Sequence, residues 1–156
     1  MSLIWLKNLA GFRQTDLELL QVPRPRLELT IHITCKTVEV GTLLGSVLGP
    51  LKAALVDGQR DQDALVRAMT QGGLYGALTG LVLGPVAGWA ATRNMQRVEV
   101  FDRCYRLRFN RPQLFVDRMV LLSGGIGSAV AGGSGFVLGV DMAFVGGTLL
   151  NRLWKE

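Results

Sequence analysis

The stretch that decides the fold is GGLYGALTGLVLGPVAG, residues 72–88. Its glycines recur at every fourth position, namely Gly72, Gly76, Gly80, Gly84 and Gly88. Residues four apart on an α-helix lie above one another, so these positions form one groove without side chains. In water each interior glycine would cost a helix about 0.5–1 kcal/mol relative to alanine. In a bilayer the groove lets a second helix approach closely, and the ladder therefore predicts helix packing inside a membrane.

Other glycines repeat this pattern. Gly41, Gly45 and Gly49 form a shorter ladder within GTLLGSVLGP, which resembles GALTGLVLGP 35 residues later. Gly124 and Gly125 begin further rows of small residues near the C-terminus. The repeated unit is a packing surface, so we expect the helices to pack on one another through these small faces.

Three apolar regions bound the number of membrane spans. Two of them, 38–56 and 71–92, have the length of one span each, since a helix crosses a bilayer with about 17–25 mostly apolar residues. The third, 119–150, is too long for one ordinary span and contains the turn-forming segment GGSG. We predict an all-α membrane protein, a four-transmembrane-helix bundle with glycine-ladder packing, whose spans cover about 38–56, 71–92, 118–132 and 136–152. A single kinked helix over the third region is the alternative.

The segment 1–34 lies before this predicted transmembrane domain, 35–152. Residues 2–12 have the apolar pattern of a short amphipathic helix, lying either in the membrane interface or on a partner protein. The alternating stretch LELTIHITC, residues 27–35, predicts either an extended lead-in or a helical extension of the first span.

The charge distribution favours a membrane protein over a nucleic-acid-binding one. Lys and Arg number 17 against 12 Asp and Glu, giving a net charge of +5. With four spans, 14 basic residues lie on one side of the membrane, and Lys52, Arg60 and Arg67 lie on the other. Such a bias sets membrane topology. We see no base-stacking or base-binding constellation beside the arginines, so we expect no nucleic-acid partner.

The loop 93–118 is the densest in arginine. Its segment EVFDRCYRLRF, residues 99–109, can form an amphipathic helix with Val100, Phe101, Cys104 and Leu107 on one side. Basic residues at a membrane surface attract anionic headgroups. The residues that we assign to contacts with an anionic, cardiolipin-like phospholipid or a partner subunit are Arg103, Arg106, Arg108 and Arg111.

The sequence contains no motif for catalysis, a cofactor or a metal ion. His32 is the single histidine, and neither Cys-x-x-Cys nor Gly-x-Ser-x-Gly occurs. We therefore predict a protein that is not an enzyme. Cys35 and Cys104 lie on the same predicted side, which permits a disulfide in an oxidising compartment and equally permits two unrelated thiols.

Three acidic residues lie in or beside the spans. Glu39 begins the first, Asp117 begins the third, and Asp141 lies inside the fourth. A charge inside a membrane costs several kcal/mol unless it is paired or hydrated. Asp141 is the strongest candidate for a functional polar group, either as a hydrogen-bond anchor or in a translocation path. The partners that we expect for it are Thr42, Ser123, Ser128 or an arginine at the end of a span.

These features together resemble the mitochondrial translocase and preprotein/amino-acid transporter family. The resemblance covers roughly residues 35–150 and rests on the glycine ladders and on Asp117 before the third span. The spacing from Asp117 to Gly124-Gly125 and on to Ala129 matches the second half of the family signature, with Ala for the last Gly. Gln113 stands where the signature has Arg, and Phe101 is one position from its aromatic residue.

The resemblance implies a multi-pass protein of the mitochondrial inner membrane with other membrane subunits as partners. The family includes translocase subunits, plastid outer-envelope proteins and a membrane accessory subunit of respiratory complex I (NADH:ubiquinone oxidoreductase). A non-catalytic complex I subunit is our first hypothesis, and a protein translocase subunit is the alternative. A translocase would line a lateral cavity with acids, for which Glu39 and Asp141 are the candidates. The family places its termini in the intermembrane space, whereas the charge bias favours the matrix.

Overall fold

The computed structural model describes residues 3–153, and within them the chain is entirely helical apart from its connections. The helices are α1 (Leu3–Leu9), α2 (Asp16–Leu20), α3 (Pro25–Leu55), α4 (Gln62–Thr92), α5 (Arg97–Phe109) and α6 (Arg111–Leu153). Of these, α3, α4 and α6 are long and apolar enough to cross a membrane. The predicted all-α class is confirmed for the described residues. Lys155, one of the basic residues assigned to a membrane side, and Ser2 of the expected N-terminal helix lie outside them.

The first long helix begins earlier than its apolar region. Pro25 occupies the first turn of α3, where its fixed φ and missing N–H suit a helix start. The alternating residues 27–35 are therefore a helical extension of α3 and not an extended lead-in. The helix α4 also starts early, because the Asp61 side chain accepts a hydrogen bond from the Ala64 N–H and caps it.

The helices α3 and α4 touch backbone to backbone where their two glycine ladders meet. A Cβ atom added to Gly76 would overlap the carbonyl oxygen of Gly41, and one on Gly72 would overlap that of Gly45. One turn further along α3, a Cβ atom on Gly49 would overlap the carbonyl oxygen of Ala68. No side chain larger than hydrogen fits at these crossing points without moving a backbone.

Toward the N-terminal end of α3, the residues that contact the glycines of α4 are threonines. A Cβ atom on Gly84 would lie 2.5 Å from Thr37 Oγ1, and one on Gly88 would lie 2.7 Å from Thr30 Cγ2. Thr37 Oγ1 also donates a hydrogen bond of 2.8 Å to the Gly80 carbonyl. Gly72 and Gly76 of α4 thus lie against the backbone of α3, whereas Gly84 and Gly88 lie against its threonines.

The long helix α6 folds back on itself. Its backbone leaves helical geometry at Ala131 and at Gly132, where φ is +59°, a value that glycine adopts without strain. The two halves, 111–130 and 133–153, lie antiparallel, and the Asn151 side-chain amide donates to the Pro112 carbonyl at 2.8 Å. Each half is about 30 Å long at 1.5 Å per residue. The turn lies at the start of the GGSG segment, as the sequence predicts.

The outward surfaces of the three long helices are apolar. Leu44 on α3 is 55% exposed, Val82 on α4 is 70% exposed and Val130 on α6 is 81% exposed. The shorter α5 packs across the beginning of α3, where its buried residues Val100 and Cys104 join Val22 and Leu29. Among the side chains expected on this face of α5, Phe101 is the exception, since it is 36% exposed.

Replacing Gly76 by alanine should destabilise the protein, although alanine favours a helix. The added methyl group must push α3 and α4 apart at Gly41, which we expect to cost about 1–3 kcal/mol. Gly146→Ala is the matched control, because a Cβ atom there meets nothing within 4 Å. That variant should gain about 0.5–1 kcal/mol. Thermal unfolding in detergent measures both, and equal stability of the two variants would contradict the close approach.

Candidate functional site at the α3–α6 interface

A cluster of charged side chains lies buried between α3 and the first half of α6. Lys36 Nζ lies 2.6 Å from Glu39 Oε2 and 2.5 Å from Asp117 Oδ1. Asp117 Oδ1 also accepts a hydrogen bond of 2.9 Å from Gln113 Nε2, and His32 Nδ1 lies 3.6 Å from Asp117 Oδ2. The Glu39 side chain is 4% exposed and that of Asp117 is 10% exposed. One ammonium group, on a side chain that is 24% exposed, therefore pairs with two carboxylates that are almost fully buried.

Helical spacing brings these residues together. His32, Lys36 and Glu39 occur at intervals of four and three residues, which places them on one face of α3. Gln113 and Asp117 are four apart on α6 and meet in the same way. The sequence predicts Glu39 and Asp117 as acids at the starts of two different spans and does not predict that they meet. The spacing on α3 was the available signal for Lys36 and His32.

The cluster carries a net negative charge when His32 is neutral, because Lys36 balances only one of the two carboxylates. In a low-dielectric interior an unpaired carboxylate is costly, so the arrangement depends on Lys36 and on the donors around Asp117. The ring of Phe144 lies 5.7 Å from Lys36 Nζ and covers the cation on one side.

A cavity of about 190 Å³ adjoins this cluster. Its polar end is formed by His32, Glu39 and Asp117, and its walls include Leu81, Val120 and Phe136. Such a cavity can hold an apolar group that ends in a cation or a hydrogen-bond donor. Among residues 3–153, no group of three or more His, Cys, Asp or Glu side chains is placed to hold a metal ion.

Asp141 lies further along the same interface and binds a residue that was not among its predicted partners. Ser46 Oγ donates a hydrogen bond of 2.6 Å to Asp141 Oδ2. Asp141 Oδ1 is buried and has no partner among the described residues. The expected partners Thr42, Ser123, Ser128 or an arginine were wrong, and Thr42 Oγ1 instead donates to Val38 O of its own helix at 2.7 Å. Ser46 could be identified as the partner of Asp141 only from the register between α3 and α6.

Arg108 is an internal residue, and its assignment to lipid or partner contact was wrong. Its guanidinium donates to both carboxylate oxygens of Glu28 at 2.7 Å. It also donates to the carbonyls of Leu19 at 2.9 Å and Gln21 at 3.1 Å. The side chains of Arg108 and Glu28 are 1% and 3% exposed. This bidentate pair connects α5 to α3, and the bonds to the two carbonyls connect α5 to the end of α2.

The other three arginines of that assignment are on the surface. Arg103 and Arg111 are exposed, and Arg106 forms an exposed ion pair of 2.9 Å with Asp102. Their contact with lipid or a partner stays a prediction.

The possible disulfide does not form, because Cys35 and Cys104 are both free. Cys104 Sγ donates to the Pro25 carbonyl at 3.0 Å, at the beginning of α3. Cys35 lies ten residues further along that helix, about 15 Å away, whereas bridged Cα atoms lie at most about 7 Å apart. Burial, and then the neighbouring Glu28 carboxylate, raises the pKa of the Cys104 thiol to about 11.

Lys36→Met should destabilise the protein by about 3 kcal/mol, since it leaves the carboxylates of Glu39 and Asp117 buried without their cation. Lys52→Met is the control, because it removes the same charge from an exposed position in the last turn of α3. We expect that control to change stability by less than about 0.5 kcal/mol. Denaturant unfolding in detergent compares the two, and similar losses would show that the cluster does not stabilise the fold.

Comparison with known proteins identifies the family of the chain. A search of curated proteins gives no match. The profile of one family, described as "Protein of unknown function (DUF1757)", matches residues 5–150, which include both glycine ladders and the buried cluster. Because this match covers far more than half of the chain, the protein belongs to the DUF1757 family.

Proposed function

We propose that the chain is a non-catalytic structural subunit of a multi-pass assembly in the mitochondrial inner membrane, as an accessory subunit of respiratory complex I. The observation that carries the structural role is the pairing of the buried charges with one another. Lys36 pairs with Glu39 and Asp117 at one level of the interface, and Ser46 binds Asp141 at another. Groups paired in this way hold helices together, which supports a structural role.

Four membrane crossings are part of this proposal. The antiparallel halves of α6 are each about 30 Å long, which matches the thickness of the hydrocarbon core of a bilayer. The apolar outer surfaces of α3, α4 and α6 suit lipid or the membrane helices of neighbouring subunits. A shallow apolar groove runs along α3 and α4 past Val40, Leu44 and Leu83, and it provides a contact surface for such a helix.

The assembly itself is inferred from the resemblance to the translocase and transporter family. Within that family, a complex I accessory subunit needs rigid helices and surfaces for partners, and it needs no transport path. The internal pairing of Arg108 with Glu28 supports this role, because it fixes the helix α5 as a rigid platform at one end of the bundle.

A protein translocase subunit is the alternative, and the cavity beside the charged cluster favours it. Glu39 and Asp117 line this cavity between α3, α4 and α6. Carboxylates at the end of an apolar cavity could receive a basic, amphipathic segment of a passing polypeptide. Asp141, the other acid that the sequence analysis assigned to such a cavity, is bound to Ser46 instead.

The four-span arrangement predicts where single cysteines react in a background without Cys35 and Cys104. Cysteines at Gln59 and Ser134 should be labelled from one side of the membrane, and a cysteine at Asn94 should be labelled from the other. Ser134 is decisive, because it follows the turn at Gly132. Membrane-impermeant maleimide on intact and opened vesicles measures this. Protection of Ser134 from both sides would place the turn within the bilayer and contradict four crossings.

Variants of Asp141 separate the two functions. Asn keeps an oxygen that can accept from Ser46, so Asp141→Asn should leave assembly nearly intact, whereas Asp141→Leu should lower the amount of assembled complex. Under the first function the wild-type chain co-migrates with NADH dehydrogenase activity on native gels. Capture of a stalled preprotein by the chain, or a loss of preprotein import in Asp141→Asn with normal assembly, would favour the translocase.

A further inference from the structure

We propose that a groove at the end of α6 binds the headgroup of an anionic phospholipid. This arginine groove has a volume of about 610 Å³ and is lined by Arg13, Arg111, Arg118, Phe12 and Phe115, among others. It lies where the connection between α1 and α2 passes the start of α6. The inference rests on the proposed membrane location, but it needs neither complex I nor a translocase.

The groove has an excess of positive charge. Arg13 and Arg111 are exposed, and neither forms an ion pair with a carboxylate among residues 3–153. Arg108 also borders the groove, but its charge is balanced by Glu28. Asp16 is the acidic residue on the groove wall. An anion in the groove would therefore meet more cations than carboxylates.

Arg118 is held in place for such a ligand. Its Nε donates to the Leu9 carbonyl at 3.1 Å, and its Nη2 donates to the Asn8 carbonyl at 2.6 Å. These bonds fix the guanidinium against the end of α1, and within residues 3–153 they leave Nη1 without a hydrogen-bond partner. A phosphate oxygen can accept from Nη1, and the arginine then loses little conformational freedom on binding.

The position of the groove favours a lipid over a dissolved phosphate. Arg111 begins α6 and Asn151 lies near its end, and both line the groove. If both halves of α6 cross the membrane, the groove lies at the level of the headgroups. Phe12 is 66% exposed, and with Phe115 it offers an aromatic wall for the glycerol and upper acyl groups. Three arginines in one groove suit a headgroup with two phosphates, as in a diphosphatidylglycerol.

The test compares lipid retention by the full chain reconstituted in bilayers of phosphatidylcholine with a minor share of diphosphatidylglycerol. Arg13→Gln combined with Arg111→Gln should lower retained diphosphatidylglycerol about 30-fold, because each arginine near an anionic surface contributes a factor of about five. Arg93→Gln combined with Arg97→Gln is the control, since it removes the same charge from two exposed positions that lie outside the groove and outside the predicted lipid contacts. Mass spectrometry of the purified complexes measures the bound lipid, and unfolding midpoints of both variants should match that of the wild type.

Each result supports or overturns the proposal. Equal retention in the two double variants would show that general surface charge, and not the groove, attracts the lipid. Displacement of the lipid by inorganic phosphate at equal concentration would make the groove a phosphate site. If the chain enters no bilayer, the membrane location fails together with this inference. If it enters bilayers but retains no anionic lipid, the groove proposal fails and the proposed function stands.

Discussion

The close approach of α3 and α4 is the constraint on which the rest of the structure depends. Glycine carbonyls of one helix occupy the space where side chains of the other would lie, so the distance and register between the helices are fixed by backbone atoms. A backbone contact cannot be repacked by changing a rotamer. Gly41 and Gly45 face α4, while Glu39, Thr42 and Ser46 are buried on other faces of the same helix. Because the face with Gly41 and Gly45 is held against α4, the rotation of α3 about its axis is fixed. Lys36 and Ser46 therefore point toward α6.

Several buried polar groups of the interior connect one helix to another, and three of these contacts involve α3. Lys36 of α3 meets Asp117 of α6, Ser46 of α3 meets Asp141 of α6, and Arg108 of α5 meets Glu28 of α3. These contacts lie at successive levels along α3, which makes this helix the common support of the fold. Apolar side chains contribute less to specificity here, since the buried ones are mostly valine and alanine.

Features that depend on the spacing of residues along one helix could be predicted from the sequence, whereas the polar side-chain contacts between helices could not. The glycine ladder and the turn at Gly132 follow from residue spacing and from the backbone freedom of glycine. The start of α3 at Pro25 was harder, because alternation in residues 27–35 suited a strand as well as a helix. Ser46 as partner of Asp141 depends on the register of two helices 95 residues apart in sequence. Arg108 is one of several arginines in the same segment, and the sequence alone does not distinguish it from those on the surface. Its burial depends on the position of Glu28 on α3.

The pairing of Arg108 with Glu28 has a consequence for the order of biosynthesis. Glu28 leaves the ribosome 80 residues before Arg108, so α3 and α4 are made before the arginine that pairs with this carboxylate. Until α5 emerges, Val22 and Leu29 at the start of α3 lack Val100 and Cys104 as packing partners. A chain that stops before residue 108 keeps this surface open. The ion pair therefore forms only in a chain that extends at least to residue 108, and it coincides with the packing of α5 on the start of α3.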